Sequence, residues 1–268
     1  MAKYSWLDTE DECNAWGQRK KARVYIATES FFNNANIILK HDNDFKEGLC
    51  SCVNGEIAVR PKVRTVTRQR DGVKCSKKYR GIEIDFFNSE LRKRLNSNDL
   101  LLFEVYNREG IFYTSNGKKG FDFAQLDYRY NLLQLWNQCF GKRGLYKGEE
   151  LWESALKQNP FLKEAADEID FNAFERGKDV EVKKEVMTIL GELQFGNWGL
   201  IYRDLFKLLD ADANSGVDLF VYITAHHNLL SYASDQIVNY DDTARVLNEF
   251  SHLIKVPVWL IGLDIEVK

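Results

Sequence analysis

The sequence predicts an α/β protein with a mixed central β-sheet flanked by helices and a β-rich elaboration on the N-terminal side. Three observations carry this. From residue 186 onward, apolar runs and amphipathic stretches follow in the order strand, helix, strand, helix, helix, strand, which implies a mixed sheet with helices on its faces. Between residues 55 and 115, alternating and β-branched segments dominate. The composition, 44% hydrophobic and 29% charged with 3 Pro and 17 Gly in 268 residues, is that of a globular chain, long enough to bury a substantial core.

The elements follow in order. Val63-Arg64-Thr65-Val66-Thr67 is a β-branched run, Asp71-Gly72 a hairpin turn, and Ile82-Glu83-Ile84-Asp85-Phe86 a returning strand. Leu100 to Tyr106 is a strand, with a turn near Asn116-Gly117 and a helix around Leu132 to Cys139. Leu151 to Ala166 reads as mostly helical despite Pro160, and Val186 to Phe195 as a strand. The next helix, Leu200 to Leu209, carries Leu200, Ile201, Leu205, Leu208 and Leu209 on one side. Val217 to Thr224 is a strand, Leu229 to Val238 and Asp242 to Ile254 are helices, and Val256 to Leu263 is the last strand. No repeat or low-complexity linker interrupts the chain, so the expected division is soft: residues 1–140 as the elaboration, 141–268 as the core.

Met1 to Cys13 is polar and acidic, unlike a secretory signal, and no apolar run approaches the roughly 18 residues of a membrane span. A soluble cytoplasmic protein is expected. Five cysteines include Cys50-Ser51-Cys52, whose spacing does not suit a zinc site, so free thiols are expected.

A net charge of −3 argues against coating nucleic acid by bulk charge, but the charge is unevenly spread. Arg60 to Arg80 holds nine basic residues against Asp71 alone. A basic ribbon there suits a polyanion, with Arg64, Arg68 and Arg70 expected on phosphates; a solvated hairpin edge accounts for the same charges.

The segment Gly191-Glu192-Leu193-Gln194-Phe195-Gly196-Asn197 is the most informative. On a strand, Glu192 and Gln194 share one face while Leu193 and Phe195 point to the other. An amphipathic strand with a solvated face has the same pattern. An acid in an apolar setting, Ile169-Asp170-Phe171, precedes Glu192 by 22 positions and offers the second carboxylate a hard divalent cation needs. Ile84-Asp85-Phe86 offers an alternative first acid. The four histidines form no convincing metal or triad set.

Together these motifs resemble the PD-(D/E)xK nucleases, and within them the BamHI/BglII/BstYI group of type II restriction endonucleases, where the usual lysine gives way to glutamate or glutamine. The resemblance runs from about residue 165 to 265, through Ser234-Asp235-Gln236-Ile237-Val238-Asn239-Tyr240-Asp241 and Val256-Pro257-Val258-Trp259-Leu260-Ile261-Gly262. It implies a restriction-endonuclease-like core, hydrolysis of double-stranded DNA at a short palindrome, a homodimer, and Mg²⁺ without a small-molecule cofactor. It also implies Asp170 and Glu192 as metal ligands, Gln194 as the group orienting the attacking water, and Glu153, on a preceding helix beside Glu149 and Glu150, as a further acid. Base reading falls to Asn197, with Arg203 nearby. One member of the group has Asp-Arg where this chain has Asp235-Gln236. The group recognises GATC-centred sites, and glutamine matches the edge of adenine.

Overall fold

A computed structural model describes residues 5–70, 73–114, 120–233 and 236–268, with the side chains of residues 68, 70 and 73 left aside. The expected turns at Asp71-Gly72 and Asn116-Gly117, Asp235, and the Arg68 and Arg70 side chains therefore lie outside the described residues.

The N-terminal part opens with strand β1 (Trp6–Leu7) and helix α1 (Glu10–Gly17), which starts at a capping box between Thr9 and Glu12. A strand that the sequence reading passed over, β2 (Lys21–Phe32), is followed by α2 (Ala35–His41), α3 (Asn43–Val53) and the short β3 (Gly55–Ala58). The basic hairpin forms from β4 (Pro61–Arg70) and β5 (Val73–Ile82), in register from Pro61 opposite Ile82 to Arg70 opposite Val73. It is three-stranded, because β1 pairs along the free edge of β5. The expected returning strand stops at Ile82, and Ile84–Leu95 is helix α4, with Phe87, Leu91 and Leu95 buried along one stripe.

Next come β6 (Leu102–Arg108), β7 (Ile111–Thr114) and β8 (Phe121–Gln125), then α5 (Tyr128–Phe140), whose first turn is capped by the Asp127 carboxylate accepting from Tyr130 N at 2.8 Å. The stretch expected as one helix is two, α6 (Gly148–Gln158) and α7 (Pro160–Asp167). Pro160 cannot continue a helix but is tolerated in its first turn. The buried Asn159 before it accepts from Thr114 N at 2.8 Å. After a 3-10 turn (Phe171–Ala173) come β9 (Ile189–Gln194), α8 (Leu200–Ser215), β10 (Leu219–Ala225), α9 (His227–Tyr232), α10 (Tyr240–Glu249) and β11 (Val258–Val267).

The main sheet is eight-stranded, in the order β3-β2-β11-β10-β9-β8-β6-β7. It is mixed: β11 with β2, β6 with β8, and β8 with β9 are antiparallel, while the neighbours β9 and β10 are joined through α8, the crossover that a parallel pair requires. The expected fold class is the observed one.

Contacts divide the chain into two compact units: residues 1–99, 193–205 and 221–268 in one, residues 100–192 and 206–220 in the other. The first unit is built on the long β2–β11 ladder, from Phe32 opposite Val258 to Ala22 opposite Val267, over a core that includes Trp259, Phe45 and Phe87. In the second, α5 to α7 gather an aromatic cluster in which Trp136 touches Phe140, Trp152 and Phe171. All five cysteines are free thiols, as expected. Among the described residues no helix is long and apolar enough to cross a membrane.

Candidate active site

Every residue of β9 is buried, so the strand has no solvated face. Glu192 is 3% exposed and Gln194 6%. A carboxylate and an amide in the interior are costly unless something holds them, and each has an identifiable surround.

Around Glu192 the neighbouring strand is β8, also buried throughout. The antiparallel register sets Phe123 opposite Gly191. One step along that ladder come Asp122 and Glu192, and directly opposed residues share a face. The glycine at 191 is a steric requirement, since a Cβ there would lie 2.0 Å from the Phe123 ring. Helix α8 sends Lys207 to the same place: its Nζ donates to Glu192 Oε1 and, at 2.7 Å, to the Gly120 carbonyl, and lies 4.4 Å from the centre of the Phe121 ring. Glu192 and the Lys207 ammonium thus meet at this end of β9, and the strand register continues to the buried Asp122 on β8. Asp122 was missed at the sequence level, although Phe121-Asp122-Phe123 has the same apolar-acid-apolar pattern that drew attention to residue 170.

Gln194 is held at both ends of its amide. Nε2 donates to Asp204 Oδ2 at 2.6 Å, and Oε1 accepts from Gly196 N at 2.9 Å. Asp204, wholly buried on α8, also accepts from Tyr222 OH at 3.1 Å and from Arg203 Nη2 at 3.0 Å. Such a clamp fixes the amide's orientation, leaving one N–H and one lone pair with set directions.

Past β9 the chain is stitched to residues 236–238: Trp198 N donates to Gln236 O and Val238 N to Gly196 O, both at 2.8 Å. This brings two expected base readers together. Asn197 and Gln236 are both exposed beside a groove of about 400 Å³ lined by Trp198, Tyr202, Gln236 and Arg245. The Asn197 side chain accepts from Gly199 N at 3.0 Å, shaping its own turn. Arg203 is exposed, with its guanidinium on Asp204.

The remaining expected residues lie elsewhere. Asp170 is exposed at the head of the 3-10 turn, where its carboxylate accepts from Asn172 N at 3.1 Å; the strand facing β9 carries Asp122 instead. Asp85 is exposed in the first turn of α4, and Glu153 is exposed on α6. Arg64 is half-buried and lies back over Gly81, its Nη2 donating to Ile82 O at 3.4 Å, so it stays with the hairpin rather than reaching into solvent. Among the described residues, no group of three or more His, Cys, Asp or Glu is gathered to hold a metal. His226 stacks on His227 at 3.9 Å with Asp241 Oδ1 3.8 Å from its Nε2; burial, then the neighbouring His227, lowers its pKa.

Comparison with known proteins bears on this geometry. Residues 136–263 match the family model described as "Restriction endonuclease BglII/BglIII". Glu192, Gln194 and Asn197 lie inside the matched segment and Asp122 precedes it. A solved structure, "Crystal structure of restriction endonuclease BGLII complexed with DNA 16-mer", is similar over 88% of this chain and 76% of that one, at 13% identity and a TM-score of 0.41. No curated protein sequence matches.

Proposed function

We propose, from the match of residues 136–263 to the family described as "Restriction endonuclease BglII/BglIII", that this chain is a restriction endonuclease that hydrolyses phosphodiester bonds of double-stranded DNA at a short palindrome with Mg²⁺ as cofactor. The observation that carries the chemistry is the placement of Asp122 and Glu192 on one face of the β8–β9 pair, both buried.

The donor set fits the cation. Mg²⁺ takes oxygen ligands and is commonly held by one or two carboxylates, with water and substrate phosphate completing its shell. Asp122 and Glu192 are the residues that would hold it. Asp170 has no part in this reading, because its carboxylate caps an exposed turn, and neither has Glu153. When bound, the ion lowers the pKa of a water and offsets charge gathering on the phosphate.

The chain's own groups do the rest. Gln194 cannot supply the charge of a lysine, but its clamped amide offers one donor and one acceptor in fixed directions to a water or phosphate oxygen. Asn197 and Gln236, brought side by side by the backbone bonds after β9, read bases, and Arg203, exposed on α8, is assigned to the same role. Asp235 is assigned to the same reading through its place in the chain beside Gln236. A palindrome is read by a two-fold symmetric protein, hence a homodimer with one site per strand. The target assigned is GATC-centred with an A·T or T·A outer pair, from glutamine's match to adenine, cut to leave a four-base 5′ overhang.

Incubation of the purified protein with phage DNA and Mg²⁺ tests the reading. Discrete bands support it, a smear points to a non-specific nuclease, and DNA bound but intact points to a non-catalytic binding protein. Duplexes varying only in the outer pair test Gln236: preferred cutting of GGATCC overturns that assignment, and failure on every GATC-centred duplex overturns the core.

A further inference from the structure

The motif strand ends in glutamine where a lysine is usual, yet a lysine reaches Glu192 from a different element. We infer that Lys207 supplies, from helix α8, the positive charge that Gln194 cannot. The inference rests on the nuclease reading above and assigns one more residue to its site.

Three contacts fix the ammonium. It is paired with Glu192 Oε1, bonded to the Gly120 carbonyl at 2.7 Å, and set 4.4 Å from the centre of the Phe121 ring. Carbonyl, carboxylate and the negative face of an aromatic ring each favour a cation. The Lys207 side chain is 21% exposed and that of Glu192 4%, so the pair is largely buried. An ion pair on an open surface contributes little; inside, fixed beforehand, a charge has its greatest effect on a transition state.

The helix explains how a lysine comes to be there. Ile201, Leu205 and Leu208 are the buried stripe of α8, and Asp204 on the same helix clamps Gln194. Residues three apart lie on adjoining positions of a helix surface, so Asp204 and Lys207 leave α8 side by side. One meets Gln194 and the other Glu192, two residues earlier on the strand. The positive charge that a glutamine cannot provide is thus present at Glu192 from position 207.

The inference separates from a merely structural role through charge relocation. Single-turnover cleavage at saturating protein is compared for the wild type, Lys207→Met, Lys207→Arg and the double variant Gln194→Lys/Lys207→Met, with DNA affinity without divalent metal and thermal melting recorded for each. The expected result is a rate lower by about 10²–10³ for Lys207→Met, the usual loss on removing one preorganised group, with DNA affinity within threefold of the wild type. Lys207→Arg should recover part of the rate, and Gln194→Lys in the Lys207→Met background should recover tenfold or more. Wild-type cleavage matched by Lys207→Met overturns the inference alone. So does a loss that follows melting temperature and is restored by neither variant. A wild type that leaves DNA intact with Mg²⁺ overturns the nuclease reading, and this inference with it.

Discussion

The Gln194 amide donates to the Asp204 carboxylate across 2.6 Å of wholly buried interior, and Tyr222 donates to the same oxygen. Removing the carboxylate strands two buried donors at once. Asp204→Ala should therefore lower stability by about 2–4 kcal/mol, from about 1–3 kcal/mol for each unsatisfied group with partial relief by water. Asp204→Asn, which keeps one oxygen acceptor, should cost less than half as much. Urea unfolding with equal slopes for the variants checks this; an Asp204→Ala protein as stable as the wild type contradicts the network.

Asp122→Asn and Glu192→Gln should each abolish detectable cleavage while leaving DNA binding nearly intact, because each changes a charge and little shape; Glu192→Gln should also lower the melting temperature, since it leaves the Lys207 ammonium without its counter-charge. Asp170→Ala should cut at close to the wild-type rate. If Asp170→Ala is dead and Asp122→Asn active, the acid that completes the site is the one read first from the sequence, and the register argument is wrong.

The basic hairpin should act on DNA through its exposed lysines. Replacing Lys62, Lys74 and Lys77 by Gln should weaken binding to all sequences alike and reduce the salt slope by roughly two to three. Arg64→Ala should leave that slope unchanged, since the side chain lies back on the hairpin itself. Fluorescence anisotropy across a salt series distinguishes the two outcomes.

The pKa of His226 is lowered by burial and by the stacked His227, with Asp241 and Asp264 pulling the other way. The folded protein thus binds this proton less readily than the unfolded chain does. Its contribution to stability is complete above about pH 6.5 and is lost as pH falls toward the lowered native value. Melting temperature should drop between pH 7.5 and 5.5, and His226→Gln should flatten that drop. An unchanged profile in the variant assigns the acid sensitivity to other groups.

Gly191→Ala should destabilise by about 2–3 kcal/mol, because the new methyl falls 2.0 Å from the Phe123 ring in a strand pair with no room to part. Chemical denaturation reads the loss directly. A neutral substitution would mean that β8 and β9 separate more easily than their burial implies.

How far the sequence could be read depended on how local each signal was. The β9-α8-β10 run and β11 were legible because each strand is a single apolar stretch, and α8 shows its stripe of Ile201, Leu205 and Leu208. Ile82 to Phe86 misled because its alternation also fits the opening of a helix, whose stripe at Phe87, Leu91 and Leu95 appears only further on. β2 went unseen because its identity depends on pairing with β11 at the opposite end of the chain. Within the site, Glu192 and Gln194 are neighbours on one strand and could be found together. Asp122 could not, because its distance to Glu192 is set by strand pairing across helices α5 to α7. Lys207 gave no signal, being one cation on a helix whose direction only tertiary packing decides.

The helices between β8 and β9 also set an order of events during synthesis. Asp122 leaves the ribosome well before Glu192, and the ladder that opposes them closes only after α5, α6 and α7 have emerged. Loop closure over such a span is slow compared with helix formation, and Lys207 emerges later still. A nascent or truncated chain ending before residue 189 thus carries Asp122 without the acid that faces it, and under the proposed reading it could not cut DNA. The pair of acids is complete only once β9 has emerged and paired with β8.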